Sequence, residues 1–434
     1  MQYRLSESVG VAIGQSSVLL ILSPRPVYVW LNNGTLESTG FAGIILWSQR
    51  HFFQFFSCCD SKKSKGGSVR CRPCCRCEIK FLSLHLVFNL SFNLTMKQFF
   101  HSDAPFPLEC GETLPSLSIA FHTYGSLNED RSNVIWVMHG LTANSDVADW
   151  WPGTVGEGLF LDPSKYFIVC ANMLGSCYGT TGPSSINPAT GEPWCDSFPR
   201  VTIRDMVHAH QLLAKHLGIT RLHEMIGVSL GGFQAIEWMV TDPQIAENVM
   251  FCATDSSCSP WLAAFNQSMY MAIKTDPTWG LPSLDAAKKG LATARSIALI
   301  SYRGPFAYNM SQRDPEEKPD PFFHRVQTYQ EYQGKKLCDR FDVYSYVRIC
   351  QSGDSHDVGR GRGGLENALN RINANTLVIG INSDILFPPA CLEELAKRIP
   401  GSRLELMDSK FAHDGFLIEH EKLNEIMLRW RESR

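Results

Sequence analysis

From residue 96 onward the chain alternates short apolar runs with longer stretches of helical spacing. Val134-Ile135-Trp136-Val137-Met138 and Tyr166 to Ala171 are apolar throughout, the mark of strands buried on both faces. Leu222 to Val228, Thr376 to Ile381 and Arg403 to Met407 read as further strands. Thr202 followed by Asp205 predicts a helix start, with Ile203, Met206, Val207, His210, Leu213 and Leu217 on its inner face and Gly218 as its stop. Helical spacing also runs over Phe233 to Val240 and Pro388 to Ile399, while Pro107 to Gly125 alternates and turns like an antiparallel hairpin at a sheet edge. Strands and helices alternating on this scale predict an α/β fold built on a mostly parallel sheet covered on both sides.

Two stretches depart from this alternation. Between Ser259 and roughly Leu369, Leu284 to Tyr302 and Pro321 to Ile349 read as helices joined by charged loops. We therefore expect a helical lid over 259–369 and a core formed by 96–258 and 370–434. Residues 1–95 show no sustained helix or strand period and hold Cys58, Cys59, Cys71, Cys74, Cys75 and Cys77 beside a basic patch from Lys62 to Arg76. A zinc site there lacks the second half of a ligand set. A signal peptide over Val11 to Leu22 lacks a convincing cleavage site. Since ordinary globular patterning opens at Met96-Lys97, the favoured expectation for 1–95 is an unstructured or extraneous leader.

Composition narrows the class. The chain has 434 residues, 44% of them hydrophobic, enough for a large core. A formal net charge of −3 argues against nucleic acid or an anionic membrane as the main partner. No run of about 18 apolar residues predicts a membrane-spanning helix. The cysteines beyond the leader are scattered without a pairing pattern, which suits a reducing cytosol and a cytoplasmic protein. Neither a metal nor a cofactor is expected.

The chemistry centres on Gly227-Val228-Ser229-Leu230-Gly231, a G-x-S-x-G lying between a strand-like and a helix-like run. In that context it reads as a nucleophile elbow of the α/β-hydrolase fold, a turn so tight that the serine Oγ stands above the sheet. In that fold an acid and a histidine follow the serine in chain order, each after a later strand. Asp384 lies just past the strand ending at Ile381, and His413 lies in the loop after Arg403 to Met407. Asp384 also suits a cap for the helix near Pro388, and His413 is one of thirteen histidines. The order Ser229, Asp384, His413, each behind an apolar strand, favours a catalytic triad over three coincidences. His139-Gly140-Leu141-Thr142 follows another strand, so the N–H groups of Leu141 and Leu230 are the candidates for an oxyanion hole.

From about Pro105 to Trp430 the residues resemble the homoserine O-acetyltransferases, α/β-hydrolase-fold acyltransferases. The resemblance rests on Leu174 to Pro183, Phe198 to Val207, Gly290 to Arg295, Asp354 to Gly364 and His413 to Leu417. It implies ping-pong acyl transfer from acetyl-CoA, a substrate and not a cofactor, to the hydroxyl of L-homoserine. It also implies that Arg295 clamps the acceptor carboxylate, that Tyr302 lines the pocket and that Asp414 meets the acceptor ammonium. On the residues alone Arg295 reads rather as part of a solvated helix face, and Asp414 suits a cap before Gly415-Phe416. Arg360 and Arg362 suit either CoA phosphates or a basic loop. Two positions depart from the family pattern: Val228 stands where glycine is usual, and Gly140 where alanine is common. Succinyl-CoA as donor, serine as acceptor and plain ester hydrolysis are the rival chemistries on the same scaffold. Relatives of this kind lead us to expect a homodimer formed through the helical insertion.

Overall fold

The computed structural model describes residues 96–317 and 320–434, together with the backbone of short strands in a separate N-terminal unit, Met1–Leu94. In that unit Val9–Gly14 pairs antiparallel with both Tyr3–Leu5 and Ser17–Leu22. Tyr28–Asn32 pairs with Thr35–Thr39, and Ile44–Leu46 with Phe53–Phe55. These are local hairpins where the apolar pattern predicts no element. The cysteines from Cys58 to Cys77 lie outside the described residues.

The second unit is built on the strands β1 (Gln98–Ser102), β2 (Phe106–Pro107), β3 (Thr113–Leu114), β4 (Leu117–Tyr124), β5 (Val134–Met138), β6 (Phe167–Ala171), β7 (Leu222–Val228), β8 (Ala246–Cys252), β9 (Asn375–Ile381) and β10 (Arg403–Met407). Eight of them form one sheet in the order β10-β9-β8-β7-β5-β6-β4-β1. β5 to β10 run parallel, and β4 runs antiparallel to both of its neighbours. The predicted 107–125 hairpin is resolved differently. β2 and β3 pair only with each other, and β4 takes β1 as its partner, with Ile119 opposite Phe100. Alternation marked β4 as a strand, but a two-residue pairing at Phe106 to Leu114 already uses the turn residues that suggested its partner.

The central strands explain themselves by residue parity. In β5, Val134, Trp136 and Met138 pack on one face with Met225, Phe233, Trp238 and Phe251, while Ile135 and Val137 pack on the other with Ile226, Val228, Met250 and Ile379. Each such buried side chain contributes about 1.5–3 kcal/mol relative to exposure. The helices covering these faces are α1 (Val147–Trp150), α2 (Ile203–His216), α3 (Leu230–Thr241), then α4 (Pro260–Lys274), α5 (Lys288–Ser311), α6 (Arg325–Cys338), α7 (Val343–Asp354), α8 (Leu365–Leu369), and finally α9 (Pro389–Arg398), α10 (Gly415–Ile418) and α11 (His420–Glu432). α2 starts as its sequence predicts. The Thr202 side chain accepts from Asp205 N, and the Asp205 carboxylate accepts from Thr202 N at 2.8 Å. Such caps are worth about 1 kcal/mol.

Helices α4 to α8 occupy the stretch between β8 and β9. The predicted 321–349 helix is two, because Asp342 accepts from Ser345 N at 2.8 Å and starts α7 afresh. α5 passes through a break at Gly304, with φ 63 and ψ 172, followed by Pro305. The end of this insertion is tied to the core by charge. Arg362 donates to both oxygens of buried Glu237, at 2.5 and 2.9 Å, and Arg360 spans Glu109 at 2.6 and 3.0 Å. Arg204 pairs with the same two carboxylates. Among the described residues, nine cysteines are free thiols, and no helix is long and apolar enough to cross a membrane.

Three histidines are buried without charge. Burial pushes His139 and His210 down to about 4 and His356 down to about 3. His356 stacks on Phe233 with ring centres 4.1 Å apart, and His210 bonds Gln234 at 3.0 Å. Below the ordinary histidine value the unfolded chain takes up protons that the folded chain refuses. Stability is therefore fully present above about pH 6.5 and falls as pH drops toward 4, by at most about 4 kcal/mol per pH unit when all three titrate together. Urea midpoints measured at pH 7.5, 6 and 5 test this: a steep loss below pH 6.5 is expected, and replacing His356 with Gln should flatten it.

Candidate active site

The turn between β7 and α3 is dictated by what fits there. Ser229 sits at φ 54, ψ −125, a conformation that side chains rarely adopt. A Cβ on Gly227 would lie 2.6 Å from Ala235 Cβ, one on Gly231 2.0 Å from Met138 O, and one on Gly232 2.4 Å from Thr254 Oγ1. Only hydrogen at those positions lets α3 start directly behind the strand. The strained serine is held by its own backbone: its N–H donates to Cys252 O at 2.9 Å, and its carbonyl accepts from Gly232 N at 2.8 Å and Thr254 Oγ1 at 2.9 Å.

The loops after β9 and β10 bring the other two groups to it. His413 Nε2 stands 2.9 Å from Ser229 Oγ, and His413 Nδ1 stands 2.8 Å from Asp384 Oδ2. Both the histidine and the aspartate are buried. The second oxygen of Asp384 accepts from Leu386 N at 2.8 Å and Phe387 N at 3.0 Å. Asp384 therefore does cap a turn, although not the one at the start of α9, and this fixes the carboxylate that orients the imidazole. Phe387 and Phe416 flank the His413 ring at 5.4 Å each. A hydroxyl, an imidazole and a carboxylate in this chain of hydrogen bonds can deprotonate the serine and stabilise the imidazolium that results.

Leu230 supplies the first N–H of α3, which no carbonyl within the helix can satisfy, and the helix dipole points the same way. Leu141 lies in the turn after β5. Both residues line the cavity above Ser229, with Phe233, Leu262, Phe265, Asn266, Met269, Tyr302 and Phe387 among its other walls. The free space is about 40 Å³, room for roughly three water-sized positions. Cys350 also faces this space, but burial raises its thiol far above the usual range, so it offers no competing nucleophile.

The three residues expected at the acceptor side fall around the same point. Tyr302 lies with its ring centre 5.7 Å from that of His413, and the Arg295 guanidinium stands 5.5 Å from the Tyr302 ring centre. Arg295 makes no ion pair among the described residues. Asp414 provides no side-chain cap for α10. Its Oδ2 instead accepts from Arg303 Nε at 3.1 Å. Burial raises the Asp414 carboxyl, opposed by Arg303, His413 and Arg295. Arg303 and Tyr329, whose hydroxyl accepts from that arginine and whose ring lies beneath it, went unread in the sequence, as did Thr254. Only the breaker pair Gly304-Pro305 signals that this stretch is special. Arg360 and Arg362 are spent on Glu109 and Glu237 and do not line the cavity.

The two departures from the family pattern are both accommodated. Val228 is fully buried in the core face shared by Val137 and Cys252. At Gly140 an added Cβ would meet Ser229 Cβ at 3.7 Å, an ordinary contact. Gly140→Ala should accordingly retain turnover within about threefold. Gly231→Ala should displace the turn, abolish turnover and lower stability by about 1–3 kcal/mol. Steady-state rates and thermal midpoints of the two variants check this contrast.

The sequence and structure match known proteins throughout this region. A family model described as the alpha/beta hydrolase fold matches residues 133–419. The homoserine O-acetyltransferase of Cyclobacterium marinum is 43% identical over 339 residues, covering 78% of this chain and 96% of that protein. That of Chlorobaculum tepidum is 41% identical over 339 residues, covering 77% and 95%. Among solved structures, the homoserine O-acetyltransferase from Bacillus anthracis superposes with a TM-score of 0.71 at 25% identity, over 77% of this chain and 97% of that one. The acetyl esterase MekB superposes with a TM-score of 0.69 at 26% identity, over 78% and 97%. With the elbow, the ordered triad and the helical insertion in place, this chain belongs to the homoserine O-acetyltransferase family of the α/β-hydrolase fold.

Proposed function

We propose that the protein transfers an acetyl group from acetyl-CoA to the side-chain hydroxyl of L-homoserine, giving O-acetyl-L-homoserine for methionine synthesis. The observation that carries this reading is the 2.9 Å and 2.8 Å relay from Ser229 through His413 to Asp384 beneath a narrow, largely apolar roof. Ser229 Oγ attacks the thioester carbonyl as His413 Nε2 takes its proton. The C–S bond then breaks, and the proton passes to the CoA thiolate. Homoserine enters, His413 removes its hydroxyl proton, and the new oxygen attacks the acetyl-serine ester. Ser229 leaves with the proton restored. Leu141 N–H and Leu230 N–H receive the oxyanion in both tetrahedral states, each contributing about 3 kcal/mol.

The acceptor is held by charges of opposite sign around its α-carbon, which bears both the carboxylate and the ammonium. Arg295 takes the carboxylate as a planar donor pair, Tyr302 lines the space between, and Asp414 Oδ1 meets the ammonium. A small roofed cavity suits a two-carbon acyl group and keeps water from the acyl-enzyme, whereas a succinyl chain adds a carboxylate to an apolar wall. No cofactor takes part. We place the protein in the cytoplasm, where its nine described thiols stay reduced. We also read it as a homodimer, since the insertion exposes Ile300, Phe306, Met310 and Phe322.

A second reading, acetyl-ester hydrolysis, is favoured by the likeness to an acetyl esterase structure. Thiol release from acetyl-CoA, with and without L-homoserine, separates the two. Continuous release beyond the first equivalent that requires homoserine, and exceeds that with L-serine or succinyl-CoA, supports transfer; continuous release indifferent to homoserine overturns it. Ser229→Ala and Asp384→Asn should each lower kcat by roughly 10⁴-fold or more.

A further inference from the structure

Three consecutive lid residues meet three consecutive residues of the catalytic loop. The Tyr302 ring packs against His413, Arg303 bonds Asp414, and Gly304 lies over Ala412, where a Cβ would come within 2.9 Å of Ala412 Cβ. The break at Gly304-Pro305 is what lets α5 approach so closely, and Ala412 itself is held at a φ of 51. Strained backbone persists only where its surroundings over-determine it. Here the surroundings are the lid helix on one side and Ser383, whose hydroxyl accepts from Ala412 N at 3.1 Å, on the other.

Arg303 is held from its other side as well. Its Nη1 donates to the Tyr329 hydroxyl on α6, and its guanidinium lies 5.3 Å from the centre of that ring. Arg303 thus spans from α6 to the loop carrying His413 and takes one carboxylate oxygen of Asp414. The other oxygen carries no hydrogen bond among the described residues. The groups facing Asp414 are Arg303, Arg295 and Tyr302 from α5, Tyr329 from α6 and His413 from its own loop. Burial pushes this carboxyl up toward its neutral form, and the largest influence opposing burial is Arg303. A neutral acid has no charge to offer an ammonium.

We propose that Arg303 is a positioning residue that sets acceptor specificity: by holding Oδ2 of Asp414 it fixes the orientation of the carboxylate and leaves Oδ1 for the ammonium of an amino-acid acceptor. This rests on the acceptor reading given above. Arg303 acts on the second half-reaction, whereas acetylation of Ser229 depends on the triad and the oxyanion donors. The guanidinium also has a structural alternative, simple support of the loop, and the two differ in what they predict.

The test compares wild type with Arg303→Met, Arg303→Lys and Tyr329→Phe. Each is assayed for the acetyl-CoA-driven CoA burst, for transfer to L-homoserine, and for transfer to 4-hydroxybutanoate, which keeps the hydroxyl and carboxylate but lacks the ammonium. For Arg303→Met the expected result is a fall in kcat/KM for homoserine of about 30-fold or more, carried mainly by KM, with a burst lowered less than about threefold. Discrimination between homoserine and 4-hydroxybutanoate should shrink by a similar factor. The acid limb of kcat/KM for homoserine should move to higher pH, because without Arg303 the Asp414 carboxyl keeps its proton longer as pH rises. Arg303→Lys should recover part of each effect, and Tyr329→Phe should give a smaller shift in the same direction, so the outcome does not hang on one variant folding. An equal loss in burst and transfer, with unchanged discrimination and an unmoved acid limb, would overturn the proposal while wild-type transfer to homoserine stood. Wild type that releases CoA without regard to homoserine would overturn the acceptor reading, and Arg303's role with it.

Discussion

The site depends on a steric constraint at one turn. For a helix to begin immediately behind β7, three backbone segments must pass within contact of one another, and Gly227, Gly231 and Gly232 are the residues that let them. The cost of this crowding falls on Ser229, whose backbone is held in a conformation unfavourable for any side chain. Its carbonyl and amide are pinned by Cys252, Gly232 and Thr254, so the strain cannot relax. In return the hydroxyl stands clear of the sheet and the helix N-terminus faces the same space. The remaining parts of the site are arranged around that fixed oxygen.

Around it, the groups of the relay have defined partners. His413 and Asp384 are buried, and Asp384 divides its two oxygens between the imidazole and two backbone N–H groups. Away from the site, Glu237 is almost completely buried and is matched by Arg362 and Arg204. An isolated charge at that depth would be costly, whereas a paired and hydrogen-bonded one can persist and specify where the insertion meets the core. Two of the insertion's attachments to the core differ in kind: ion pairs near its end, and direct packing of α5 against the histidine loop.

Much of the architecture was legible in the chain because it rests on local signals. Short, mostly apolar runs pick out β5, β6, β7 and β9, the Thr202–Asp205 spacing picks out the start of α2, and the bounds of β7 and β10 fall where the pattern places them. The partner of β4 was not legible: pairing joins distant segments, and Gln98–Ser102 carries no mark that selects it over the nearer run at 108–114. The division between α6 and α7 was missed for a related reason, since Asp339 to Asp342 contains neither glycine nor proline and the break is made by the cap of Asp342.

Chain order, spacing and residue type singled out Ser229, Asp384 and His413, which the fold joins by hydrogen bonds, because a nucleophile elbow and loops at strand ends are properties of short segments. Distances between far-apart segments were decided only on folding. Asp414 lies next to His413 in the chain, yet its carboxylate is engaged by Arg303, 111 positions upstream. Arg360 and Arg362 carry the charge suited to phosphates, yet folding places carboxylates against both. Which charges remain available to a ligand is settled by packing, because only the tertiary structure brings opposite charges within bonding distance and removes the water that would screen them.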